Sequence, residues 1–142
     1  MLIQAGSIFA TSALCHFASD WLRQSQKDAV SKSTNWKVRF WHCFDYATDF
    51  LLLYLLAFHF NPLAIAISLG ILFVSHFIID TYIPTYWWVK YIRQPVIPTY
   101  DFTIEKFKEY AATPIGAIIT ITVDQIFHLI FVFVASVICA GM

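Results

Sequence analysis

Charge is what this sequence has least of. Nine Lys plus Arg and nine Asp plus Glu make up 13% of the 142 residues, while 59% are apolar. An ordinary soluble domain carries about 25% charged and about 45–50% apolar residues. So little charge excludes a disordered chain, whose apolar surface would stay exposed. The net charge of zero leaves no cationic footprint for nucleic acid and would serve solubility poorly at this hydrophobicity. Cysteine is scarce and odd in number, with Cys15, Cys43 and Cys139 in apolar surroundings and no C-x-x-C pair. That excludes a disulfide framework, and the three read as small buried hydrophobes. No Gly-rich phosphate loop, G-x-S-x-G elbow, H-E-x-x-H pair, EF-hand or internal repeat is present.

What the chain has instead is long uncharged runs. Residues 1–19, 60–79 and 125–142 contain no Asp, Glu, Lys or Arg, and about 20 apolar residues in a helix span the hydrocarbon core of a bilayer. A fourth apolar stretch, 41–60, is interrupted only by Asp45 and Asp49 and ends at Asn61-Pro62. The expectation is an all-α, polytopic membrane protein made of one domain, residues 1–142. Four spans are expected at about 2–22, 41–60, 63–83 and 120–141. No Lys or Arg precedes the first run, so a signal-peptide n-region is missing, and Leu14 before Cys15 is too large for a lipoprotein cleavage site. The first run therefore reads as a retained span.

Orientation follows from the basic residues. Arg23, Lys27, Lys32, Lys37 and Arg39 lie in the segment 23–40, and Lys90, Arg93, Lys106 and Lys108 in the segment 84–119. Both segments are expected in the cytoplasm and both termini outside it. All five tryptophans fall at or beside the same face, where headgroups favour aromatic rings. Pro84, Pro95, Pro98 and Pro114 break up the second segment, and Asp101 can cap a short helix with Ile104, Phe107 and Ala111 on one face. That helix either lies on the membrane or packs on the bundle. Lys90, Arg93, Lys106 and Lys108 could attract an anionic headgroup, although topology alone also accounts for them.

Polar residues inside the spans form a pattern. His16 and Asp20, His76 and Asp80, and Asp124 and His128 are each four apart, and His42 precedes Asp45 by three. Such spacings share a helix face. Chain direction alternates, so Asp20, Asp80 and Asp124 form a layer near the cytoplasmic face with His16, His76 and His128 a turn deeper, about 6 Å away. His42 is outermost on the second span, which should bring Asp45 and Asp49 near the histidine layer. Ionised Asp in a span costs about 2.5–3.5 kcal/mol at a helix centre, so these groups must face inward and be neutralised. The spans contain no Lys or Arg, which leaves protons, imidazolium or a metal ion. Imidazole and carboxylate suit Zn, Mn, Fe or Mg, as one or two ions. His16, Asp20, His42, His76, Asp80, Asp124 and His128 are the candidate ligands. Asp45 and Asp49 are candidate catalytic carboxylates, and Gln24 and Gln125 could orient the ligands. His59, alone at the outer end, reads as snorkelling to the headgroups.

His16-x3-Asp20-x3-Gln24, His76-x3-Asp80 and Asp124-Gln125-x2-His128 resemble a family of small bacterial and phage membrane proteins of unknown function, number 3307. The resemblance covers most of the four-helix core but not the longer 84–119 segment, and it implies a bacterial inner-membrane location. A looser similarity is to membrane-bound metal-dependent hydrolases induced by DNA damage, which implies hydrolysis by analogy only. Three functions follow as expectations. The first is a metal-dependent hydrolase open to the cytoplasm, acting on a phosphoester or anionic lipid headgroup. The second is a proton or ion translocator using the same residues. The third is a phage or bacterial membrane adaptor that binds a partner through residues 84–119.

Overall fold

Side-chain caps decide where most of the helices begin. In the computed structural model, which describes residues 2–58, 60–93 and 100–142, all regular structure among the described residues is helical. Helix α1 (Leu2–Phe17) runs into a π-helical turn, Ala18–Leu22, and then α2 (Gln26–Ser31) starts at Ser25, whose side chain accepts from the Asp28 amide. Helix α3 (Trp36–Leu53) is capped by Asn35, which accepts from the Lys37 and Val38 amides, and it continues into a second π turn, Tyr54–Phe58. Asn61 caps α4 (Pro62–Ile79), with Pro62 at its first position. Helix α5 (Ile83–Trp88) leads into a third π turn, Val89–Arg93. Thr103 caps α6 (Ile104–Ala111), and Thr113 caps α7 (Pro114–Gly141). These caps satisfy amides that have no partner within the helix, and proline at a helix start gives up an amide that would be unpaired anyway.

The long helices α1, α3, α4 and α7 alternate in direction and close a ring, with α1 against α7 and α3, and α4 against α7 and α3. This is the up-down-up-down arrangement of a four-helix bundle. Its apolar core holds Tyr46, Phe50 and Tyr54 of the second long helix, Ile65 and Leu72 of α4, and Val132 and Ala135 of α7. Small residues let α4 and α7 approach: Ser68 Oγ donates to the Ala135 carbonyl at 3.2 Å, and Ala64 and Cys139 are buried beside it. A satellite cluster of Val89, Phe102 and Phe107 seats α5 and α6 against the start of α7.

Several expectations need correction. Among the described residues three helices, not four, are long and apolar enough to cross a membrane: Leu2–Leu22, Pro62–Ile79 and Pro114–Gly141. Where the span 41–60 is expected, a helix of bundle length runs over Trp36–Leu53 and the π turn Tyr54–Phe58, but Lys37, Arg39, Asp45 and Asp49 dilute its apolarity. The last helix starts at Pro114 rather than near 120, because Thr113-Pro114 forms a capped start; its 28 residues reach about 42 Å. Thr103, not Asp101, caps α6. Phe107 is buried against the satellite cluster, whereas Ile104 stays exposed. Pro84 and Pro114 sit in first turns, where they start helices; Pro95, Pro98 and His59 lie outside the described residues.

Two backbone features shape the end of the bundle near the basic segments. Tyr82 takes a left-handed conformation (φ 59°) and turns the chain from α4 into α5. Gly116 lies so close to the Tyr110 carbonyl that a Cβ there would overlap it, so the α6–α7 corner needs glycine. The outer surface of the bundle is apolar, with Leu14, Val74, Ile78, Ile118, Ile126 and Phe133 among its exposed side chains.

Candidate functional site

The polar side chains collect where α1 and α4 finish and α3 and α7 begin. His76 is central and 1% exposed. Its ring centroid is 4.2 Å from that of His128, 4.9 Å from His42 and 4.0 Å from Tyr46. Asp80, one turn along α4, is equally buried, with Oδ2 3.3 Å from His76 Nε2 and Oδ1 3.6 Å from His128 Nε2. Asp20 arrives from the π turn after α1, and its Oδ1 is 3.1 Å from His42 Nε2. π-helical turns recur at functional sites because they re-aim a side chain within an otherwise regular helix. His42 Nε2 and His76 Nε2 face each other at 2.9 Å.

Gln125 organises one side. Its amide nitrogen donates to Asp20 Oδ2 and to Asp124 Oδ2, each at 3.3 Å. Both partners are carboxylates, so its oxygen must face His16 Nε2 at 2.9 Å and accept a hydrogen bond from it. His16 Nδ1 then accepts from the Tyr46 hydroxyl at 3.0 Å. Both nitrogens of His16 are therefore occupied within the protein, whereas His76 Nδ1, His128 Nε2 and Asp80 Oδ2 are buried without a hydrogen-bond partner.

The sequence reading missed Lys32. A cationic partner was expected to be absent, yet the Lys32 ammonium reaches in from the end of α2 to Asp20 Oδ1 at 2.9 Å and Asp80 Oδ1 at 3.0 Å, beside His42 Nε2 at 3.4 Å. The span count was blind to it because Lys32 belongs to the connection, not to a long helix. The usable signal was the Ser25–Asp28 cap, which folds that connection into a short helix directed back over the bundle. Arg39 holds the arrangement, donating to the carbonyls of Lys32 at 3.0 Å and Ser33 at 3.1 Å while its guanidinium stacks on Phe77. Burial alone would lower the Lys32 pKa, but Asp80 and Asp20 outweigh it and hold the ammonium above the usual lysine range.

Other expected residues lie apart. Asp45 is exposed, 3.7 Å from Arg23, and Asp49 pairs with Arg23 and accepts from Ser19 Oγ at 2.7 Å. Neither joins the histidine layer, because Arg23 draws both to the outer side of α3. Asp124 sits at the rim, 3.6 Å from His128 Nε2. Gln24 lines the surface cleft beside Asp20 with its Nε2 unpartnered. Lys90 bonds the Tyr86 hydroxyl at 3.1 Å, Lys106 is half-buried, and Arg93 and Lys108 are exposed; none of the four is part of the cluster. Cys43, expected as a small buried hydrophobe, lies with His76 and Asp80 so that their potential ligand atoms are within 4.8 Å of one another. The same holds for Asp20, His42 and His76, and for His16, His76 and His128.

A family model described as a protein of unknown function (DUF3307) matches residues 8–141. The chain belongs to that family. No curated protein and no solved structure matches it. The DUF3307 match takes in every member of the cluster, Lys32 included. It also runs through residues 84–119, which corrects the expectation that this segment falls outside the family pattern.

Proposed function

We propose that this DUF3307 chain is a membrane-embedded metal protein, and that its site hydrolyses a phosphoester from the cytoplasmic face of a bacterial inner membrane. Its apolar outer surface, three long apolar helices and one-sided basic residues support the location. The observation that carries the metal reading is a charge imbalance within convergent ligand atoms. Asp20, Asp80 and Asp124 bring three carboxylates and Lys32 one ammonium, which leaves two negative charges in a buried site when the imidazoles are neutral. One divalent ion of the Zn, Mn, Fe or Mg class balances that charge, and buried charge requires balance.

Asp20, His42, His76 and Asp80 would hold the ion, with His128 Nε2 also unpartnered and close by. His16 is committed to Tyr46 and Gln125 and would orient the cluster instead. When bound, the metal supplies an activated water and polarises a phosphoryl oxygen. Lys32 adds a fixed ammonium for an anionic substrate oxygen, Gln125 holds Asp20 and Asp124 in place, and the packed core below excludes bulk water. A proton relay is less well supported. Below Tyr46 the core continues as Phe50, Leu72 and Val132, with no titratable path among the described residues except the Tyr54 hydroxyl and Cys139.

The deciding measurement is elemental analysis of detergent-purified protein before and after chelation, alongside phosphomonoester hydrolysis. About one divalent ion per chain is expected. Asp80→Asn and His76→Ala should lose both the ion and the hydrolysis. Wild-type protein that never takes up a divalent metal would sink the reading.

A further inference from the structure

A cleft of about 530 Å³ opens beside the cluster between the end of α1 and the start of α7. Asp20 and Lys32 line it on the side of the cluster, where the Lys32 ammonium pairs with Asp20 and Asp80, and Trp21 and Ile121, 57% and 51% exposed, line it on the apolar surface of the bundle. Three further lining side chains carry buried polar atoms without a hydrogen-bond partner: Gln24 Nε2, Thr120 Oγ1 and Asp124 Oδ1. Thr120 and Asp124 are each 7% exposed. Orphaned buried polar groups are costly and uncommon, so three along one cleft call for a polar occupant. Their chemistry differs: the Gln24 amide nitrogen can only donate, the Asp124 carboxylate can only accept while ionised, and the Thr120 hydroxyl does either.

We infer that this cleft binds an amphiphilic phosphate ester that carries a hydroxyl next to its phosphate. The anionic head meets the Lys32 ammonium and the Gln24 amide, and the hydroxyl sits between Asp124 and Thr120. The apolar chain leaves sideways past Trp21 and Ile121. A carboxylate at the rim disfavours a head that is anionic throughout, and the apolar wall has no use in binding a small, fully hydrated ester. The inference rests on the hydrolase reading for the fate of the phosphate, but not for the binding itself.

Trp21 makes the cleft its own reporter. In phosphatidylcholine nanodiscs, a glycerol phosphate bearing one brominated acyl chain should quench tryptophan fluorescence saturably. That component should vanish in Trp21→Phe. Thr120→Val and Gln24→Leu should each raise the half-saturating mole fraction about tenfold, the loss of roughly one buried hydrogen bond. Ala29→Leu, which fills the cleft without removing a polar group, should weaken binding as well. The same brominated chain on uncharged glycerol should not saturate, and glycerol phosphate without a chain should not compete. Competition by glycerol phosphate at equal concentration would overturn the amphiphile in favour of a free ester. Quenching that survives Trp21→Phe unchanged, or that never saturates, would overturn the cleft. The assay is run with and without chelator, so an absent metal would contradict the hydrolase reading while the quenching still reports on binding.

Discussion

At the residue scale, Lys32 supplies the one ammonium among the described members of the buried cluster. It compensates Asp20 and Asp80 at about 3 Å from within a buried site. Removing one partner of a buried ion pair costs about 3–5 kcal/mol. Lys32→Met should therefore lower unfolding stability by about that amount, and added divalent cation should restore more stability to the variant than to the native chain. The pH dependence has a definite sign. The ammonium is held above its ordinary pKa by Asp80 and Asp20, against about 10.4 in an unfolded chain. Its contribution is complete below about pH 10.4 and is lost as the pH climbs through the higher folded value. Alkaline unfolding curves should show this loss in the native protein and a flatter profile in Lys32→Met; identical profiles would contradict the assignment. Asp20, Asp80 and His42 are the groups that face this ammonium.

At the scale of elements, short segments position what the long helices carry. Arg39 at the start of α3 ties down the connection that bears Lys32, and the Lys32 ion pairs with Asp20 and Asp80 anchor it further, while α2 itself has no buried residue. The α6–α7 corner depends on Gly116 against the Tyr110 carbonyl. Gly116→Ala should force the two helices apart at a cost of about 1–3 kcal/mol, read as a lower melting temperature in detergent. Gly70→Ala, where a Cβ would meet open space, should leave stability near or above native. Much at this scale was legible beforehand. Asn61-Pro62 marked the turn before α4, and the four-residue spacings placed His16, Asp20, His76, Asp80, Asp124 and His128 on inward faces. Spacing along one helix, however, cannot report a neighbour that captures a side chain. Arg23 took Asp45 and Asp49 away from the cluster, and Lys32 entered it from a segment whose composition resembles any basic loop.

At the scale of the molecule, the two ends of the bundle differ in kind. One holds His16, His42, His76 and His128 with Asp20, Asp80, Asp124 and Lys32; towards the other the core is Phe50, Tyr54, Ile65, Leu72, Val132 and Ala135. In liposomes with an imposed pH gradient, the protein should pass no more protons than empty vesicles, and Asp80→Asn should change nothing. A flux abolished by that variant would favour translocation over hydrolysis. Such a core acts as an insulator. On the proposed reading, cation, substrate and product would all meet the protein at one leaflet, and the voltage across the membrane would neither drive nor drain the work.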